Sequence, residues 1–157
     1  MIGEPQTLDP MASTADLVGT IMQHVYELLY TYDANSNVVP MLAESMPTVS
    51  TDGLVYTIPL RKGVRFHSGK EMSSADVVAS LQRWMDMAPR GKAVAKEVKS
   101  LEAKGPSTIV ITLSRPYAPL VAHLALSNGF AAIMAKESIA TPLTQFIGTG
   151  PYMFKER

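Results

Sequence analysis

The chain has 157 residues, carries 14 Lys+Arg against 14 Asp+Glu, and contains no Cys. This length suits a single domain and the 46% hydrophobic content supplies a core, so a disordered chain is excluded. The zero formal net charge argues against nucleic acid or an anionic membrane as a partner, and the lack of Cys excludes disulfides, thiolate zinc sites and thiol nucleophiles.

The first third of the chain predicts one helix and one strand. Apolar residues recur at helical spacing over residues 16–30, so we expect a helix with one buried face there. Residues 38–50 contain two prolines and are predicted to be irregular. Apolar residues then alternate over residues 54–60, which is typical of a half-buried strand, and Pro59 favours an edge position for it.

The middle of the chain predicts its clearest helix. Residues 74–88 place apolar side chains on one helical face, and Ser73 with Asp76 has the pattern of a capping box at its start. Pro89 is expected to end this helix, and residues 90–96 are interpreted as a polar connection.

The last third predicts a hairpin followed by short apolar elements. Residues 98–103 and 108–113 flank a Gly-Pro turn and are expected to pair. A short helix is predicted over residues 114–126, a buried strand over residues 129–135, and the start of another strand at residue 152.

The polar residues form no pattern that indicates catalysis or metal binding. His24, His67 and His123 lack an acidic or histidine partner at metal-ligand spacing, so each is interpreted as a packed or surface imidazole. There is no Gly-x-Ser-x-Gly motif, and Gly148-x-Gly150 is not followed by the Lys-Ser/Thr of a phosphate loop. We predict no catalytic residue, no metal site and no cofactor.

The sequence also gives no indication of a membrane span or of an export signal. No stretch approaches the roughly 20 apolar residues that cross a bilayer. Residues 1–5 lack a charged region followed by an apolar one, so we expect no signal peptide in this segment.

Five segments, taken in order along the chain, match the pattern of one family. They are Glu4-Pro5-Gln6-Thr7-Leu8-Asp9-Pro10, Pro40-x-Leu42-Ala43-Glu44-Ser45, Asp52-Gly53-x-x-Tyr56-Thr57-x-x-Leu60-Arg61-Lys62-Gly63-Val64-x-Phe66-His67-x-Gly69, Ser74-Ala75-Asp76-Val77-Val78-x-Ser80-Leu81 and Gly148-Thr149-Gly150-Pro151-Tyr152. Together they resemble bacterial extracellular solute-binding proteins of family 5, the peptide and nickel substrate-binding subunits of ABC importers. Pro59 and Ile58 depart from the usual strand pattern of that family without disturbing the rest.

The resemblance implies a fold and a role. The expected fold class is α/β (mixed α+β), part of the two-lobed type II periplasmic binding protein fold, with a mixed sheet flanked by helices. Residues 1–157 are expected to be a single N-terminal lobe fragment of a larger solute-binding protein, unable to bind its ligand alone. The implied function is the non-enzymatic capture of peptides or similar small solutes for an ABC importer, by closure of two lobes over the solute.

The same resemblance implies partners, a location and site residues. Its partners are a peptide or small-molecule solute and the ABC permease membrane subunits, with a monomeric full-length protein that is periplasmic or lipid-anchored. Two stretches resemble segments that approach the ligand cleft, one after Leu8-Asp9-Pro10 and one after the helix that contains Trp84. The candidate ligand-binding residues are Ser13, Thr14, Ala15, Asp16, Arg90 and Gly91.

Two other functions stay open at the level of sequence. A stand-alone interaction or sensory module would reuse the lobe without transport. An enzyme would need a cluster of polar groups that neither the motifs nor the histidines provide. The solute itself is also open, among dipeptides, longer peptides, nickel complexes, glutathione-like compounds and sugars.

Overall fold

A four-stranded antiparallel sheet lies at the centre of the structure, a computed structural model that describes residues 4–156. The ends of the predicted domain, residues 1–3 and residue 157, lie outside the described residues. The strands stand in the order β3-β4-β6-β5, and their ranges are β3 Thr48–Val49, β4 Val55–Pro59, β5 Val98–Ala103 and β6 Thr108–Leu113. The predicted fold class, a mixture of helices and sheet, is confirmed. The sheet was expected to be mixed, with parallel and antiparallel strands, but all named strand pairs within residues 4–156 are antiparallel.

The predicted alternation in β4 and the predicted β5–β6 hairpin are both confirmed. Tyr56 and Ile58 of β4 are buried, and so is every second residue of β6. The prediction of an edge position from Pro59 was wrong, because β4 lies between β3 and β6. Proline is accepted there because β3 pairs only with Tyr56 and Thr57, and the Pro59 carbonyl accepts a hydrogen bond from the Glu44 N–H at 2.9 Å.

Helix α2 (Ser74–Met87) packs one apolar face on this sheet, as its periodicity predicts. The capping box is confirmed: the Ser73 N–H and hydroxyl both donate to Oδ2 of Asp76, at 3.0 and 2.6 Å. The interpretation of residues 90–96 as a connection was wrong, because α3 (Pro89–Ala95) follows directly. Pro89 is its first residue, where the missing N–H leaves no helical hydrogen bond unmade.

Helix α1 (Asp16–Met22) is about half as long as its apolar periodicity predicts. Residues 23–25 form a turn in which Gln23 and His24 are exposed, and residues 26–29 are mostly buried and lie in no helix or strand. Carbonyls of this segment bond to other parts of the chain: the Ile133 N–H donates to the Glu27 carbonyl and the Gly150 N–H to the Val25 carbonyl. The apolar residues of this stretch are buried by other segments of the chain. A helical spacing of apolar residues does not distinguish such a segment from a helix.

A two-stranded ribbon and a short helix complete the described structure. Strands β1 (Tyr30–Tyr32) and β2 (Val38–Pro40) pair with each other, so part of the segment that we expected to be irregular is strand. Helix α4 (Leu120–Ala125) starts later than predicted.

The two C-terminal strand predictions were wrong in detail. Residues 129–135 are buried but form no strand, and they bond to two different segments, through the Ile133 N–H to the Glu27 carbonyl at 3.0 Å and the Ala135 N–H to the Ile147 carbonyl at 3.2 Å. The described residues from 152 onward belong to no strand. Across residues 4–156, no helix has the length and apolarity to cross a membrane.

Candidate functional site

The loop of Ser127, Asn128 and Gly129 joins the two segments that the sequence singles out. Nη1 of Arg90 donates to the Asn128 carbonyl at 2.5 Å and also to the Asn128 side-chain oxygen. On its other side, Nδ2 of Asn128 donates to Oδ1 of Asp16 at 3.3 Å. The amide of one residue therefore connects the start of α1 to the start of α3, and we call Asp16, Asn128 and Arg90 the polar bridge.

The N-terminal segment lies closely against this loop. A Cβ on Gly19 would stand 2.9 Å from the Ser127 carbonyl oxygen, and one on Gly129 would stand 3.3 Å from the methyl of Thr14. Nε2 of Gln23 adds a hydrogen bond to the same Ser127 carbonyl at 3.1 Å. Glycine at position 19 thus permits an approach of helix and loop that any side chain would push apart.

The remaining candidate residues have local roles. The Ser13 hydroxyl accepts the Ala15 N–H at 3.2 Å, and Ala15 is the exposed residue that precedes α1. Gly91 is buried, and a Cβ there would lie 1.9 Å from the Trp84 carbonyl oxygen, so glycine is needed for the packing of α3 on α2. The structure therefore brings Thr14, Asp16 and Arg90 to one place and assigns Gly91 to helix packing.

The charges of the polar bridge are held but not neutralised. Within residues 4–156, neither Arg90 nor Asp16 has an oppositely charged group at ion-pair distance. Burial, assisted by the positive charge of Arg90, lowers the pKa of the nearby His123 below its ordinary value. A half-buried cation and an exposed carboxylate thus stand on either side of one amide, each able to meet an opposite charge from outside.

A buried ion pair fixes the chain just before the candidate residues. Arg83 of α2 binds Asp9 with both terminal nitrogens, at 3.0 and 2.5 Å, and their side chains are 5% and 6% exposed. Oδ1 of Asp9 also accepts the Met11 N–H at 3.0 Å. Residues 9–11 are thereby tied to α2, and the segment that begins at Ser13 leaves from a fixed point.

Apolar side chains flank the polar bridge on α1. Leu17 and Ile21 are apolar, yet each is 38% exposed, whereas Val18 and Met22 of the same helix are buried. The two exposed residues share one side of α1 because they are four positions apart. Leu17 directly follows Asp16 in the chain. The surface around the polar bridge therefore combines charge with apolar area, as ligand sites commonly do.

The histidines are spread over different environments. His123 faces the hydroxyl of Tyr117 at 3.0 Å, while His67 contacts the backbone of Gly148 and Gly150. The part of the chain that the structure describes contains no group of three His, Cys, Asp or Glu residues placed to hold a metal ion.

Sequence reasoning missed Asn128, the residue that joins the polar bridge. The only available signal was the Ser-Asn-Gly tripeptide between an apolar helix and an apolar run, which is typical of a turn. Glycine at position 129 adopts a φ of 56°, so this tripeptide does form the loop that such a composition favours.

Comparison with curated proteins finds relatives over most of the chain. The chain is 32% identical over 150 residues to a probable peptide ABC transporter periplasmic-binding protein of Sinorhizobium fredii, covering 93% of this chain and 28% of the relative. It is 33% identical over 150 residues to the glutathione-binding protein GsiB of Escherichia coli K12, covering 93% of this chain and 29% of that protein. The chain therefore spans less than a third of the length of these relatives.

Comparison with solved structures gives the same result. The periplasmic binding protein AgaA of A. tumefaciens R10, in complex with agropinic acid, matches with a TM-score of 0.84 and 31% identity, over 99% of this chain and 32% of that one. DppA of Helicobacter pylori, in complex with the peptide STSA, matches with a TM-score of 0.79 and 30% identity, over 96% and 34% of the two chains. The family model for bacterial extracellular solute-binding proteins, family 5 (middle), matches residues 37–157. The chain belongs to the bacterial extracellular solute-binding proteins of family 5.

Proposed function

We propose that the protein is the solute-binding component of an ABC importer, and that this chain is the N-terminal lobe that supplies one wall of the binding cleft. The polar bridge carries the proposal. It gathers Asp16 and Arg90, which are distant in sequence, into one surface and leaves both charges without an opposite partner in residues 4–156. The relatives named for peptide and glutathione binding support this role.

The solute class follows from the charges of the polar bridge. A peptide or a similar small solute carries carboxylate and ammonium groups. Arg90 has a cation to offer a carboxylate, and Asp16 has a carboxylate to offer an ammonium group. The exposed side of α1 around Leu17 and Ile21 offers apolar area to side chains of any kind. We expect charged groups to set the orientation of the solute and apolar contact to tolerate its variation.

Transport then needs elements beyond this chain. In our proposal the solute stabilises a closed state by touching two lobes, and the closed protein delivers it to the permease subunits of the importer. The protein acts in the periplasm or from a lipid anchor, is monomeric at full length and catalyses no reaction. The 157-residue chain alone offers one wall, so saturable micromolar binding of a peptide by this chain alone would contradict the proposal.

The test is solute binding by the whole protein with the polar bridge altered. Native mass spectrometry against an equimolar mixture of short peptides and glutathione identifies the solute, and calorimetry then measures its affinity. Arg90→Gln should weaken binding by about tenfold or more, because a charge-assisted hydrogen bond contributes about 1.5–3 kcal/mol. Arg115→Gln is the matched control, since Arg115 is exposed and pairs with Glu97. Equal affinity of the Arg90 variant and the wild type would refute this wall of the site.

A further inference from the structure

His67 holds the turn of residues 148–150 through three hydrogen bonds, one from its backbone and two from its imidazole ring. The backbone N–H of His67 donates to the Gly148 carbonyl at 2.9 Å, and the Gly148 N–H donates to Nδ1 of the imidazole at 3.3 Å. Nε2 lies 2.8 Å from the Gly150 carbonyl oxygen. Since a carbonyl only accepts and an N–H only donates, these two partners match the tautomer that carries its proton on Nε2 and a lone pair on Nδ1.

The turn of residues 148–150 also binds the segment that follows α1, residues 24–27. The Gly150 N–H donates to Val25 at 2.9 Å and the Tyr152 N–H to His24 at 3.0 Å. The Thr149 hydroxyl donates to Oε2 of Glu27 at 2.7 Å. Residues 148–152 therefore lie along residues 24–27, and His67 is the side chain that holds their other side.

We propose that His67 is a proton-sensitive clamp on residues 148–152. A proton on Nδ1 converts that atom from an acceptor to a donor, so that it faces the Gly148 N–H with two hydrogens and no lone pair. The Nε2 bond to Gly150 survives this change, so acid opens the clamp on one side only. The clamp depends on the backbone of this chain and is independent of the proposed solute.

His24 provides a contrast within the same contact region. Its ring lies edge-on to Tyr152, with centroids 5.6 Å apart, and its Nδ1 lies 2.9 Å from the Thr20 carbonyl oxygen. A carbonyl partner requires Nδ1 to donate, which it does in both the neutral and the protonated ring. Protonation of His24 therefore breaks no hydrogen bond of this kind, whereas protonation of His67 does.

The charged groups around His67 come from three segments. Lys155 lines the same surface cavity as His67. Glu27 contacts the turn of residues 148–150 by accepting the hydrogen bond of the Thr149 hydroxyl. In the loop of His67 itself, the Lys70 ammonium is bound to carboxylates of Asp76 and Glu137. Arg65 donates to the Gly69 carbonyl. None of these groups replaces the acceptor that Gly148 loses when His67 is protonated.

Nuclear magnetic resonance of the ¹⁵N-labelled protein tests the clamp. Ring ¹⁵N shifts should show the Nε2–H tautomer for neutral His67. The exchange protection of the Gly148 amide should fall roughly tenfold when His67 is protonated, the effect of losing one hydrogen bond, while the Leu60 amide, which donates to the Ser107 carbonyl, keeps its protection. An Nδ1–H tautomer, or Gly148 protection that is constant through the titration, would overturn the proposal.

Two variants separate the clamp from general acid sensitivity. Gln offers an acceptor and a donor but does not titrate, so His67→Gln should remove the pH dependence of Gly148 protection. His24→Gln, the matched control, should leave that dependence unchanged. If His67→Gln does not fold, the ring tautomer and the Gly148 titration of the wild-type protein still decide the question.

Discussion

Removing the charge of Asp9 should destabilise the protein more than any comparable change at its surface. Asp9→Asn keeps the shape of the side chain but leaves the guanidinium of Arg83, 5% exposed, without its counter-charge. Breaking a buried ion pair from one side costs about 3–5 kcal/mol. With a urea dependence of about 2 kcal/mol per M, the unfolding midpoint should fall by about 2 M.

Trp84 provides the readout for this experiment. It is the one tryptophan of the chain, it is 1% exposed, and its indole N–H donates to the Gly129 carbonyl at 2.9 Å, so its emission should shift to longer wavelength on unfolding. Glu97→Gln is the control, because it breaks an equally short pair in which Glu97 is 11% exposed but its partner Arg115 is 73% exposed and open to solvent screening. That control should leave the midpoint unchanged.

A double variant decides between a lost attraction and an unpaired charge. Asp9→Leu with Arg83→Met removes both charges from the same interior, so it should recover much of the stability that Asp9→Asn loses. A shift below about 0.5 M for Asp9→Asn, or a double variant no more stable than the single one, would refute the role assigned to this pair.

Two further predictions concern packing and acid. Gly91→Ala should prevent or severely weaken folding, because its Cβ would lie 1.9 Å from the Trp84 carbonyl oxygen. Gly63→Ala has open space around its Cβ but a φ of 72°, so it should lower the free energy of unfolding by about 1–2 kcal/mol. Equal losses of the two variants in urea unfolding would contradict this prediction. Burial raises the pKa of Asp76, but hydrogen bonds from Lys70, Ser73 and the Lys136 N–H outweigh it and hold that pKa below its ordinary value. The resulting stabilisation is present above the unfolded-state pKa and is lost as pH falls through the folded one, so Asp76→Asn should flatten the acid limb of stability against pH; an unchanged limb would refute it.

Local sequence signals predicted the elements whose apolar pattern has a single meaning. The capping box of Ser73 and Asp76, the alternation in β4 and the β5–β6 hairpin all depend on neighbours in sequence, and all are present. The segment after α1 could not be predicted in this way, because its apolar residues follow a helical spacing while its backbone partners, such as Ile133 and Gly150, are more than a hundred residues away.

The candidate site was predictable only in part, for a similar reason. The resemblance pointed to Asp16 and Arg90, but their common partner Asn128 lies in a loop whose sequence indicates only a turn. The ion pair of Asp9 and Arg83 joins residues 74 positions apart, and charged residues usually lie at the surface, so no local pattern indicates it.

Hydrogen–deuterium exchange of the whole protein, with and without saturating solute, tests most directly whether this chain forms a wall of the binding cleft. We predict that solute slows exchange in residues 13–19 and 127–129, the two segments that the polar bridge joins. Tight binding of the solute with unchanged exchange in both segments would contradict the placement of the site on this chain.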